Sequence, residues 1–457
     1  MPFSGGDYMV TNRGLRHALI QLFVAVAALC HSGSEAGELS AAQTKYTTEV
    51  ADVAILKDST GSLAVEDLER PNVAAQFVQL NRPPQLSYSK DVVWLRLRLQ
   101  RQVDAPQTWF LEWSNPFIND LRLYSRAASG FTFAQAGDQF AFADRALKFR
   151  FPVFALEFPD SGMQTFYLRL DSDSSLAGEL VVWQLDALHD KAQQELFYFG
   201  AVLGTILMSC LISLIHGLHT RERKVLLLAL LTFNTLWMVA SGLGLVAQFL
   251  APAMPIFADL SVPWSLACNT VLVGLVFGRA LNIGADFPRM SRFFKLAYCL
   301  ALAAPCTRWI NMYNVWGGPM LQIVSLMVVL STGWLCWVRW RSQALGAGYF
   351  LAAHVVVIGS MLMGRLILIG WVAATPFTQL SWLPGLTIYI FLVHAGIFVD
   401  SQSVKRERDA ALAEIKTARE VLESERKLRE EQTVYFSFVA HELRSPLAAI
   451  LTGAKNL

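Results

Sequence analysis

Residues 197–218 read FYFGAVLGTILMSCLISLIHGL, and this stretch decides the class of fold. It contains no Asp, Glu, Lys or Arg, and a helix of about 20 apolar residues is long enough to cross the hydrocarbon core of a bilayer. A chain in lipid must satisfy its backbone hydrogen bonds internally, so the stretch predicts a membrane-spanning helix.

Six further apolar stretches follow, so the sequence predicts a seven-helix transmembrane region over residues 196–400. They cover residues 225–249, 260–280, 296–310, 319–338, 344–371 and 380–399. The stretch 296–310 is the weakest, because Pro305 lies inside it and Arg308 near its end. Hydrophobic residues make up 54% of the chain and charged residues 16%, which is typical of a membrane protein.

Basic residues lie in every second loop between these spans. The alternate loops, at 251–258, 311–319 and 373–379, contain no Lys or Arg. The basic positions are Arg221, Arg223, Lys224, Arg279, Arg289, Arg292, Lys295, Arg339, Arg341, Lys405, Arg406 and Arg408. By the positive-inside rule, the sequence predicts a multi-pass membrane protein, in contact with lipid, with a cytoplasmic C-terminus.

Residues 1–36 resemble a secretory signal peptide in pattern. Arg13 and Arg16 precede the apolar core Ala18–Leu29, and small residues follow at Ser34 and Ala36. An uncleaved anchor is the alternative. Lipid attachment at Cys30 is disfavoured, because the bulky Leu29 precedes it.

Residues 38–190 predict an all-β sandwich or jelly roll outside the membrane, in the periplasm. The stretch Val92–Leu99 (VVWLRLRL) alternates apolar and basic residues from Leu95 onward, as a half-buried strand does. Further strands are predicted at Trp109–Trp113, Leu121–Tyr124, Phe151–Phe158, Thr165–Leu170 and Glu179–Trp183, with turn residues between them. The region from Glu38 to Leu196 has no cysteine, which excludes a disulfide framework.

Aromatic residues on these strands are candidates for stacking on a carbohydrate ligand: Trp94, Trp109, Trp113, Tyr124 and Trp183. The alternative is that they pack in the core, as strand aromatics commonly do. No catalytic carboxylate pair stands out in the domain, and no Cys/His cluster predicts a metal site. The net charge of +2 does not suggest nucleic-acid binding.

Three ionisable residues inside the predicted spans, His354, Arg365 and His394, are candidates for a ligand or ion pathway. Helix packing and anchoring at the interface are the alternative.

Residues 401–432 predict a helix without Gly or Pro, and its apolar residues follow a heptad seam: Val404, Ala411, Ile415, Ala418 and Leu422. The register blurs at Leu428 and Arg429. A two-stranded coiled coil would form a homodimer through these helices, whereas a solvated linker helix is the alternative.

Residues 436–447 read FSFVAHELRSPL. Phe436, Val439, Leu443 and Leu447 recur at helical spacing and predict a buried stripe. His441 and Glu442 fall off that stripe, towards solvent. An imidazole is nucleophilic near neutral pH, a neighbouring carboxylate can bind one ring nitrogen, and Pro446 loosens the helix after the histidine.

This string resembles the phosphoacceptor box of sensor histidine kinases. The resemblance implies that His441 is the phosphorylated residue, that Glu442 is its acid/base partner and that Pro446 bends the helix. The alternative is an amphipathic helix with a surface histidine. Residues 433–457 resemble the beginning of a dimerisation domain, so we expect a histidine kinase truncated before its ATP-binding domain. ATP and Mg²⁺ are expected only with that missing domain.

The order WLRL from Trp94, WFLEWSNP from Trp109 and DLRLY from Asp120 is similar to the extracellular jelly roll of the bacterial seven-transmembrane receptors with diverse intracellular signalling modules. The resemblance implies a sensor in a bacterial inner (plasma) membrane that belongs to a two-component phosphorelay. It would detect an extracellular small molecule or carbohydrate and control phosphate transfer from His441 to a response-regulator aspartate.

Two other functions stay open at this point. The chain could instead be an inactive regulatory receptor that pairs with another histidine kinase. A transporter is disfavoured, because the sequence shows no internal repeat.

Overall fold

The computed structural model describes residues 38–47, 52–79, 85–88, 91–127, 130–172, 175–310, 312–369, 372, 378 and 380–455. The predicted signal peptide, residues 1–36, lies outside this part. The side chain of Arg365 also lies outside it.

The N-terminal domain is a sandwich of two main sheets. One has seven strands in the order β4-β3-β6-β11-β8-β9, with β1 parallel to β6, and the other has four in the order β10-β7-β13-β2. The strands are β1 Glu38–Leu39, β2 Lys45–Thr47, β3 Val53–Asp58, β4 Val78–Gln79, β5 Gln85–Tyr88, β6 Val92–Arg101, β7 Thr108–Trp113, β8 Asp120–Ala127, β9 Gly130–Ala136, β10 Val153–Glu157, β11 Met163–Asp171, β12 Ser175–Ala177 and β13 Leu180–Trp183. Strands β5 and β12 form a separate pair.

Strand β6 shows why the sandwich forms. Val93, Leu95, Leu97 and Leu99 alternate along it and are fully buried between the two sheets. They pack with Leu111 and the other inward residues of the four-stranded sheet. A strand with one apolar face must bury that face against another layer, and here the second sheet supplies it.

All six predicted strands are present. Strands β3 and β9 and the short strands were not predicted from the sequence. Strand β9 carries few buried residues because it lies at the edge of its sheet, so its pattern of alternation is weak.

Seven long helices follow in the part of the chain that the structure describes. They are α1 Leu185–Thr220, α2 Arg223–Gly242, α3 Pro255–Ala280, α4 Pro288–Cys306, α5 Gly318–Arg341, α6 Ala347–Ile369 and α7 Trp382–Lys455. Each overlaps one predicted span, and six of them are long and apolar enough to cross a membrane. Helix α4 is the exception, since Arg289, Arg292 and Lys295 occupy its first two turns.

The loop between α2 and α3 touches the sandwich: Arg150 donates to the carbonyl of Leu243 at 3.4 Å, and Ala143 donates to that of Pro252 at 3.0 Å. The opposite end of the bundle, called here the far end, contains the links between α1 and α2, α3 and α4, and α5 and α6. Arg339 binds the Leu281 carbonyl there, and Lys224 binds Asp400. The basic loop residues therefore collect at the far end.

Helix α7 leaves the bundle at the far end and continues without interruption to Lys455. From Val404 to Phe438 its side chains are exposed. The stripe predicted to be buried is also largely exposed in the single chain, with Phe436 at 68%, because one chain offers it no partner surface. The helix continues through Pro446, so a bend at that residue stays a prediction.

Candidate functional site

The outer face of the seven-stranded sheet carries arginines and aromatic rings in alternation. Its strands place Arg122 and Arg169 beside Asp120, at 2.7 and 3.7 Å, and the ring of Tyr124 lies 5.6 Å from that of Phe133. Phe133 is exposed. This face can offer charged donors and ring surfaces to a ligand.

Four of the five predicted stacking residues are buried, and only Tyr124 is partly exposed. Trp94, Trp109 and Trp113 are at most 1% exposed, and Trp183 is also buried. Trp109 and Trp113 pack between the sheets, whereas Trp94 lies under the segment around Leu68 on the outer face. Their placement does not support stacking on a ligand, because other side chains of the protein already cover their rings. Tyr124 is half-buried at the edge of the outer face.

A charged cluster joins the sandwich to α1. Glu112, on the outer side of β7, binds Lys191, which also lies 3.3 Å from Glu195. Arg150 binds Glu195 at 3.0 Å and stacks 3.7 Å over the Phe151 ring. Burial raises the pKa of the Glu112 carboxyl, although the Lys191 ammonium opposes this, and it likewise raises the pKa of Glu179. This cluster was not predicted from the sequence. The feature of the sequence that could have indicated the cluster is the single carboxylate in the apolar strand TWFLEW.

The histidines of the bundle have different surroundings. His354 is buried, and its Nδ1 donates to the Phe350 carbonyl at 2.8 Å while Nε2 pairs with the Thr332 hydroxyl at 2.8 Å. Both ring nitrogens are therefore paired, Nδ1 within α6 and Nε2 across to α5. His394 donates from Nδ1 to the Ile390 carbonyl at 2.7 Å, and its Nε2 has no hydrogen-bond partner among the described residues. No group of metal-binding side chains was found in the described ranges.

Two contacts at the far end hold the beginning of the exposed part of α7. Lys224 lies 2.7 Å from Asp400, and the Ser401 hydroxyl donates to Glu222 at 2.8 Å. These contacts attach α7 to the short link between α1 and α2, and they are called here the exit contacts.

His441 is exposed on α7, as its pattern predicts. At about 100° per residue, it lies opposite the stripe of Phe436 and Leu443. No hydrogen bond joins it to Glu442 in the described structure, since consecutive helical residues do not face each other. The geometry leaves the imidazole open to a second protein.

Two family models match the chain. Residues 51–184 match the model described as 7TMR-DISM extracellular 2, and residues 195–398 match 7TM diverse intracellular signalling. No curated protein was found to match. The sandwich and the helices thus define a multi-pass membrane receptor with an extracellular sensing domain. Over these two ranges the chain is similar to the seven-transmembrane receptors with diverse intracellular signalling.

Proposed function

We propose that this receptor detects a small molecule or carbohydrate outside the cell and controls phosphorylation of His441 in the cytoplasm. The continuity of α7 carries the proposal, since one helix joins the bundle at Trp382 to the exposed His441. At 1.5 Å per residue, His441 stands about 60 Å from Asp400. A change in the bundle would reach it as rotation, sliding or splaying of the helix.

The basic far end supports a cytoplasmic position for α7. Positive residues flank the cytoplasmic ends of membrane helices, and the far end carries Arg221, Arg223 and Arg341. In a bacterial inner membrane this orientation would bring His441 to ATP and to response regulators.

The chemistry proposed for His441 is phosphoryl transfer. With ATP and Mg²⁺ held by a kinase catalytic domain, a neutral imidazole nitrogen attacks the γ-phosphorus, an N–P bond forms and the bond to ADP breaks. The other ring nitrogen then releases its proton, for which Glu442 is the nearest carboxylate in sequence. A regulator aspartate attacks the same phosphorus next, and the imidazole leaves.

The ligand would meet the outer sheet face at Tyr124, Phe133 and Arg122. Aromatic rings stack on apolar sugar faces, and arginines donate paired hydrogen bonds to hydroxyl or carboxylate oxygens. The exposure of Phe133 supports this position.

Labelling in trans tests the phosphoacceptor. The receptor, in nanodiscs, is incubated with labelled ATP and the soluble catalytic domain of a histidine kinase. We expect acid-labile label on the wild type and on His219→Gln, a control at another exposed histidine, but not on His441→Gln. Label that persists on His441→Gln would refute the assignment.

The exposed apolar side chains of α7 support a second candidate, a receptor that pairs with another histidine kinase without its own chemistry. Phe436, Leu443 and Leu447 are all more than half exposed in the single chain. Co-purification of another kinase, undiminished in His441→Ala, would favour this candidate.

A further inference from the structure

A cavity of about 420 Å³ lies where the sandwich meets the membrane helices. Its walls are mainly apolar and include Phe149 and Phe151 from the segment that precedes β10, with Leu188 and Phe199 from α1. This volume is within the range of small-molecule sites and holds roughly a dozen non-hydrogen atoms.

A buried carboxylate without a full set of partners lines this cavity. Glu112 is 2% exposed, and one of its oxygens binds Lys191. The other, Oε2, is buried and has no hydrogen-bond partner within the described residues, and the same is true of Oε1 of Gln248. Leaving a buried acceptor unpaired costs stability, so the cavity favours an occupant that donates hydrogen bonds.

An ammonium group suits the two unpaired acceptors, because it donates up to three hydrogen bonds. Among the buried and partly buried charged side chains of the lining, Glu112 and Glu195 balance Arg150 and Lys191, and Oε2 of Glu112 is left to accept from a further donor. The Nε of Arg150 is also buried without a partner, but Glu195 already compensates its guanidinium charge. Lys148 lines the cavity as well, and it is exposed.

From this geometry we infer that the cavity binds a small, mainly apolar amine, with its ammonium group on Glu112 and its apolar body between Phe149, Phe151 and Leu188. The amine could be a soluble molecule or the headgroup of an aminophospholipid, since Leu196, at the beginning of the apolar part of α1, also lines the cavity.

Occupancy would affect how the sandwich sits on the bundle. The cavity is shared by the sandwich, α1 and Gln248, from the link between α2 and α3. A ligand that contacts all three would favour one relative position of the two domains. Only this last step rests on the proposed function, since binding itself does not require His441.

Calorimetric titration of 2-phenylethylamine into the full chain in phosphatidylcholine nanodiscs tests the inference. We expect saturable binding at one site and none of 3-phenylpropionate, which reverses the charge. Glu112→Gln should weaken binding about tenfold or more, as expected for loss of a charge-assisted hydrogen bond. Ala192→Trp, which fills the cavity, should abolish it.

Two controls separate this site from its neighbours. Glu179→Gln removes a buried carboxylate that does not line the cavity, and His441→Gln removes the proposed phosphoacceptor; both should keep wild-type affinity. Thermal unfolding of each variant checks its fold. No saturable binding of the amine, equal binding of the carboxylate, or full affinity in Ala192→Trp would overturn the inference.

Nanodiscs that contain phosphatidylethanolamine distinguish the source of the amine. Weaker binding of 2-phenylethylamine in these discs would assign the cavity to the lipid headgroup by competition. Unchanged binding would assign it to a soluble amine.

Discussion

At the scale of single residues, Gly346 shows a steric limit on the backbone, and Glu179 shows the effect of burying a carboxyl group. Gly346, in the link between α5 and α6, has φ of +82°, and a β-carbon there would lie 2.7 Å from the carbonyl oxygen of Gly396 on α7. Residues other than glycine rarely adopt this backbone conformation, and the Gly396 carbonyl leaves no room for a β-carbon. The glycine therefore sets how closely the link approaches α7.

We predict that Gly346→Ala lowers the free energy of unfolding by about 2 kcal/mol, since it adds backbone strain and overlap with Gly396. Gly278→Ala is the matched control, because a β-carbon at Gly278 meets no atom within 4 Å. It lies inside α3 and should be neutral or slightly stabilising. Denaturation in mild detergent measures both changes, and equal losses would contradict the argument.

Glu179 predicts a pH effect. Burial raises the pKa of its carboxyl in the folded state, so the folded chain holds that proton more tightly than the unfolded chain does. The stability that Glu179 contributes is therefore present below the unfolded pKa and is lost as pH rises through the folded value. Between pH 5 and pH 8, the melting temperature of Glu179→Gln should fall less, or rise more, than that of the wild type. Parallel melting curves by tryptophan fluorescence would contradict this.

At the scale of elements, contacts near the two ends of α1 link the sandwich to the beginning of the exposed part of α7. Strand β13 passes into α1 through Gln184 alone, and the Gln184 side chain donates to the carbonyl of Gln43 at 2.8 Å. At the far end, the exit contacts join Lys224 to Asp400 and Ser401 to Glu222. A displacement of the sandwich is thus connected through α1 to the beginning of the exposed helix.

The exit contacts should have a measurable energy. In a double-mutant cycle of Lys224→Met and Asp400→Asn, we expect a coupling of about 1 kcal/mol, since both side chains are mostly buried. The pair Lys416–Glu420, at 4.0 Å and largely exposed on the same helix, is the control and should show no measurable coupling. Chemical unfolding provides the measurement. Additive effects at Lys224 and Asp400 would show that the pair does not hold α7.

At the scale of the whole molecule, the chain is a sensing domain and a membrane bundle followed by a long exposed helix. The two ends of α7 have different surroundings. The first turns of α7 pack in the bundle, whereas the apolar stripe near its C-terminal end is exposed to solvent. An exposed stripe with helical spacing favours pairing with a second helix.

Cross-linking tests a parallel homodimer. Leu443→Cys, on the stripe, should form an interchain disulfide in nanodiscs, whereas Ser437→Cys, next to the stripe, should not, because paired α-carbons must lie within about 7 Å. Both variants are made in a background without the native cysteines. Equal cross-linking at the two positions would contradict a specific seam.

Sequence patterns were sufficient for most of the fold. Strand β6 was predictable because its inward leucines alternate with arginines, and the spans because the chain must be apolar where lipid surrounds it. The stretch 296–310 was recognisable as the weakest span from Pro305 inside it and Arg308 near its end. Edge strand β9 was not predictable, since few of its side chains are buried.

The candidate sites were less predictable than the fold. The alternation that contains Trp94 and Trp109 is the same whether a ring faces a ligand or packs in the core. Only tertiary packing distinguishes these two environments. The partners Glu112 and Lys191 are distant in sequence, so their pairing follows from the packing of α1 on β7. His441 was recognisable from its local string, because one helix places all of the residues concerned.

The exposed part of α7 also sets a rule for building chimaeras. Beyond the exit contacts, from Val404 to Phe438, its side chains are exposed in the single chain. A different effector could therefore be grafted onto this rod with little loss of stability. The graft must preserve the angular orientation of the downstream module about the helix axis. Adding seven residues keeps this orientation to within about 20°, whereas adding two residues rotates the module by roughly 200°.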